Sequence, residues 1–81
     1  MEEAIETAIL SLARQRGPEK SICPSDAAKA VDPDGAWNRL MPIVRRVAVR
    51  LALDGRIVIT RKGKPVDPTE FRGVYRLKIG A

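Results

Sequence analysis

Apolar residues recur at three- and four-residue spacing over the first sixteen positions. Ile5, Ala8, Ile9, Leu12 and Ala13 make one stripe along a helix. Glu2, Glu3 and Glu6 fill its first turns, with Arg14 and Arg16 in its last, as the helix macrodipole favours. Gly17-Pro18 stops it, since glycine suits a left-handed cap and proline cannot continue the ladder. The pattern predicts a scaffold helix over 2–16. Ser21-Ile22 reads as a very short extended piece. Pro24 then opens a second, short helix to about Val31, because its missing N–H has no partner to lose at the first helical position. Asp32-Pro33-Asp34-Gly35 is a turn.

A third helical region covers about 36–54 and is interrupted at Pro42. The reading favours a short turn containing Trp37, Leu40 and Met41, then a new helix, over one kinked helix. Leu40, Val44, Val47, Ala48 and Leu51 share the core face, and Gly55 is the C-terminal stop. The period then changes to two. Ile57 and Ile59 mark one side of a strand over 56–61, and Tyr75, Leu77 and Ile79 one side of another over 74–79. The two prolines and two glycines between them predict one long connection instead of a two-residue turn.

This order of elements predicts an α+β fold: a winged helix-turn-helix of three helices plus a C-terminal antiparallel β-hairpin, the wing, as a single domain over 1–81. In that architecture the third helix enters the major groove, and the wing reaches toward the backbone or minor groove.

Composition narrows the function. The 81 residues are 44% hydrophobic and 31% charged, which suits a soluble globule. No window approaches the ~18 apolar residues of a membrane helix, and the acidic start MEEAIET is unlike a signal peptide. Histidine is absent and cysteine occurs once, which removes histidine acid–base chemistry, Ser-His and Cys-His pairs and Cys/His metal sites. Asp32, Asp34, Asp54 and Asp67 are too scattered for a metal site or carboxylate dyad, and no Gly-rich phosphate loop is present. The expectation is a cytoplasmic binding module: not an enzyme, with no cofactor, no metal and no membrane partner.

The net charge of +5 is unevenly divided. Residues 1–35 carry four Lys/Arg against seven Asp/Glu, whereas 36–81 carry eleven against three. Concentrated cations steer phosphate-bearing partners. Arg45, Arg46 and Arg50 lie off the apolar stripe of the third helix, with Asn38 and Arg39 near its entrance. Arginine pairs with guanine or phosphate and asparagine with adenine, so these residue types suit groove contact. Arg61, Lys62 and Lys64 sit where a wing would touch backbone. Duplex DNA is the expected partner. The plainer alternative is a solvated helix face, with Arg50 pairing to Asp54, and an ordinary polar turn.

Val49 and Leu53 also project outward, where a groove-reading face has little use for them. They motivate a rival reading as a protein-interaction or homodimerisation module. Cys23, Trp37 and Tyr75 are each read as core packing ahead of reactivity or base stacking.

Several blocks occur together in order: Ile22-Cys23-Pro24-Ser25; Trp37 with Leu40-Met41-Pro42 and Val44-Arg45; Gly55-Arg56-Ile57-Val58-Ile59-Thr60; and Gly63-Lys64-Pro65-Val66-Asp67-Pro68. Spanning about Ile5 to Leu77, they resemble a family of small bacterial winged-helix proteins catalogued as a domain of unknown function. The resemblance implies the winged-helix fold and a bacterial cytoplasmic setting, and brings no binding residues with it.

Overall fold

Helix α1 spans Glu2–Arg16 and α2 Pro24–Val31. A single 3₁₀ turn over Trp37–Leu40 leads into α3, Met41–Leu53, so Pro42 starts a new helix and does not kink an old one. Strands β1 (Ile57–Arg61), β2 (Lys64–Pro65) and β3 (Arg76–Ile79) complete the chain. The computed structural model describes residues 1–80. Three helices and a C-terminal antiparallel sheet give the α+β arrangement expected of a winged helix-turn-helix.

Helix α1 stops where expected. Gly17 takes φ 85, and its N–H donates to the carbonyls of Ala13 and Arg14. The buried side of α1 is Ile5, Ile9, Leu10 and Ala13, while Ala8 and Leu12 are only half-buried. At the start of α2 the Asp26 carboxylate accepts the Cys23 N–H at 2.9 Å, satisfying a donor that the first helical turn leaves open. Val44, Val47, Ala48 and Leu51 of α3 are buried against α1 and the sheet.

The sheet departs from the expected simple hairpin. Its order is β2-β1-β3, with both pairings antiparallel. The segment after β1 begins with a two-residue turn, Lys62-Gly63, that returns the chain as β2; Arg61 faces Lys64 across it. Both central residues have positive φ, 53 for Lys62 and 80 for Gly63. Such a turn matches the right-handed twist of the flanking strands, which outweighs the cost of a left-handed lysine. The sequence lacks the usual Asn-Gly signal there, so the turn was hidden. A loop over 66–75 then leads to β3.

Ile59 pairs with Leu77 in β1–β3, and Leu77 also exchanges both backbone hydrogen bonds with Ile22, at 2.8 and 3.0 Å. Ile22 is thus the short extended piece foreseen between the first two helices. It covers part of the outer edge of β3 and ties that edge to the helical layer. Leu77, Ile59 and Ile22 are at most 1% exposed.

Truncating Leu77 empties the centre of this junction without offering neighbours an easy collapse. Leu77→Ala is expected to cost about 2–5 kcal/mol. In a domain of this size that lowers the melting temperature by roughly 10–30 °C, measurable by thermal denaturation.

Candidate nucleic-acid interface

The arginines of α3 do not form one face. Arg45 points to one flank of the helix, and Arg46 and Arg50 to the other, as 3.6 residues per turn dictates for positions 45, 46 and 50. Between them runs an outward line of Pro42, Val49 and Leu53. Val49 is half-buried against the core, whereas Leu53 is 62% exposed.

On the α1 side, Arg46 meets Glu2 at 3.4 Å, and Arg50 meets Glu6 at 2.7 Å. Arg56, just past α3, reaches the other oxygen of Glu6 at 3.5 Å. The expected local partner of Arg50, Asp54, is displaced by this long-range one. The pairs are open to solvent, with side-chain exposures of 62% for Arg46 and 51% for Arg50, so each contributes only about 0–1 kcal/mol. Their larger effect is electrostatic: the carboxylates of α1 neutralise this flank.

The other flank is different. Arg45 donates to the Phe71 carbonyl at 2.7 Å, and its guanidinium lies 3.9 Å from the Phe71 ring centroid and 5.8 Å from that of Tyr75. Phe71 and Tyr75 are buried and meet edge-on at 5.0 Å. Arg61 donates to the Val74 carbonyl at 2.9 Å. It occupies the same side of the pleat as Ile57 and Ile59, one step beyond the core, so its side chain turns toward the loop. Two arginines, one from α3 and one from β1, therefore grip the same short stretch, Phe71–Val74. Three residues of chain span at most about 11 Å, so α3 and the base of the hairpin are brought together.

Exposed Arg72 lies within the stretch that Arg45 and Arg61 grip, and exposed Lys62 and Lys64 flank Gly63 at the turn that follows Arg61. Arg72 was not among the sequence candidates; an isolated arginine in a polar loop carries no periodic signal. Asn38 and Arg39 are exposed on the 3₁₀ turn before α3. Of the two loop carboxylates, Asp67 accepts both the backbone N–H and the hydroxyl of Thr69, at 2.9 and 2.7 Å, and Glu70 is exposed immediately before the gripped stretch.

Chemically, the surface offers guanidinium and ammonium donors to an anion. Among the described residues no cluster of His, Cys, Asp and Glu could hold a metal ion, and no helix is long and apolar enough to cross a membrane. Cys23 is half-buried, and its sulfur accepts the Ser25 hydroxyl at 3.1 Å. Tyr75 is core, but Trp37 is only half-buried and carries the Lys29 ammonium 4.7 Å above its ring.

The fold thus defines a small α+β domain with a three-helix layer and a C-terminal antiparallel sheet, bearing one basic flank. The chain belongs to the family described as protein of unknown function (DUF3253), whose model matches residues 2–80. No curated protein matches it.

The two hydrogen bonds from Thr69 hold the Asp67 carboxyl below its ordinary value near 3.8. A carboxyl lowered on folding stabilises the fold above its unfolded pKa, and that contribution disappears as pH falls through the folded value. Asp67→Ala is therefore expected to melt below the parent at pH 7. The gap should narrow as pH falls below 3.8 and through the lowered folded value, where the parent carboxyl takes up its proton as well.

Proposed function

We propose that the chain binds nucleic acid, with double-stranded DNA as the first ligand to test, through the flank formed by Arg45, the 71–74 loop and the β1–β2 hairpin. The observation that carries this reading is the double grip of Arg45 and Arg61 on one loop, which joins two basic elements distant in sequence. A surface fixed by its own hydrogen bonds loses little side-chain freedom on binding. Lys62, Lys64 and Arg72 supply phosphate contacts, and Arg39 and Asn38 lie at the helix entrance for phosphate or base edges. Arg46 and Arg50 contribute less, because Glu2 and Glu6 would face the same phosphates.

Affinity of this kind comes from releasing counterions and falls steeply with salt. The test is fluorescence anisotropy with mixed-sequence duplexes across a salt series. Each lost phosphate contact lowers the salt slope by about 0.9, so Lys62→Ala with Lys64→Ala should lower it by roughly 2 and weaken binding evenly across sequences. Glu6→Gln works in the opposite direction: it frees Arg50 and Arg56, raises duplex affinity, and changes stability by less than about 1 kcal/mol. Absence of duplex binding at ~50 mM salt would end this reading.

A second reading rests on Leu53, which is 62% exposed on the outward line of α3. A domain that docks on a protein or on its own copy would use this position. Light scattering coupled to size-exclusion chromatography distinguishes the two: a dimer that Leu53→Arg dissociates supports docking, and a monomer with intact duplex binding does not.

A further inference from the structure

Trp37 and Met41, at the entrance of α3, face Val74 and Tyr75 of the loop across an open cleft whose floor includes Cys23 and Ser25 at the start of α2. Its volume, about 480 Å³, falls within the roughly 300–1,000 Å³ of small-molecule sites. The walls are mostly apolar, and Val74 on the rim is 83% exposed. Tyr75 belongs to the core and Trp37 and Met41 pack half-buried against its edge, so the cleft is an open extension of the core.

What surrounds the cleft is cationic. Lys29 sits over the Trp37 ring, Arg45 lies 5.8 Å from the Tyr75 ring centroid, and Arg61 is bonded to the Val74 carbonyl. Exposed Arg39 follows Trp37 by two positions on one wall, and exposed Arg72 precedes Gly73 on the other. The carboxylate beside the floor, Asp26, is committed to the Cys23 N–H. Cations on both sides of an aromatic slot suit a planar apolar group carried on an anionic chain that enters past one wall and leaves past the other. Burial pushes the Tyr75 phenol above its ordinary value, partly opposed by Arg45, so its hydroxyl remains protonated at neutral pH and can donate to a polar ring edge.

We propose that this cleft receives a single unpaired nucleobase, stacked against Trp37 between Met41, Val74 and Tyr75, with Arg39 and Arg72 on the adjoining phosphates. The inference rests on the nucleic-acid reading above and deepens it: the protein prefers a duplex that presents a displaced base over a fully paired one. Stacking of one base on an aromatic residue is sequence-tolerant, so the preference follows the unpaired state and not the identity of the base.

Three duplexes of one sequence test this: fully paired, with a single-base bulge, and with the same bulge made abasic. Trp37 is the only tryptophan, so its fluorescence reports the cleft directly. The bulged duplex should bind roughly tenfold more tightly than the paired one and quench Trp37, whereas the abasic bulge should do neither. Trp37→Ala should bring the bulged-to-paired ratio to about one. Should that variant fold poorly, Val74→Glu at the exposed rim should do the same by repelling the chain. Equal binding of all three duplexes with unchanged fluorescence overturns the inference while leaving the duplex reading standing. Absence of binding to any of them removes both. Quenching by an acidic peptide bearing an aromatic residue, with no quenching by the bulged duplex, would assign the cleft to a protein partner and also overturn it.

Discussion

Two guanidiniums hold one loop. Arg45 reaches it from α3 and Arg61 from β1, each on a carbonyl within Phe71–Val74. Together with the burial of Phe71 and Tyr75 and the turn that Asp67 closes on Thr69, they offset the ordering entropy of a ten-residue connection. With them, Phe71 and Tyr75 are seated in the core under the Arg45 guanidinium. The hydrogen bonds are charge-assisted and the cation lies against a ring face, so polar and apolar contributions act at one point.

The same clamps distribute the charge. Arg45 and Arg61 keep guanidinium donors beyond those used on the loop, and they bring the basic turn at Lys62-Gly63 into line with α3. On the opposite flank, Glu2 and Glu6 offset Arg46, Arg50 and Arg56. A helix that looks uniformly basic in projection therefore has one neutral side and one positive side. Among the cations of the second half that no α1 carboxylate meets are Arg45 on the helix, Arg72 in the loop, and Lys62 and Lys64 in the hairpin. The aromatic cleft opens beside the same loop, so its shape depends on the same two hydrogen bonds.

Most of the architecture could be read from periodicity and punctuation. Gly17-Pro18, Pro24, Pro42 and Gly55 each mark an element end by a local rule, because glycine and proline act on their own backbone and need no distant partner. Ile22 as a short extended piece and the new helix at Pro42 follow from the same local logic. Leu10 on the buried side of α1 and the two-residue turn at Lys62-Gly63 were missed. A lysine at positive φ is held by the twist of paired strands, which no short window of sequence displays.

The candidate surface was less accessible for a related reason. Residue type and helical spacing identified Arg45, Arg46, Arg50, Arg61, Lys62 and Lys64 as outward cations, and charge segregation between the halves was plain in the chain. Which cation meets which partner is a matter of distances between residues far apart in sequence, from Arg50 to Glu6 and from Arg45 to Phe71. Local chemistry settled the helices and their ends, since backbone preferences act over a few residues. Packing settled the pairing of charges, the folded-back loop and the aromatic cleft, since those arise only where separate elements touch.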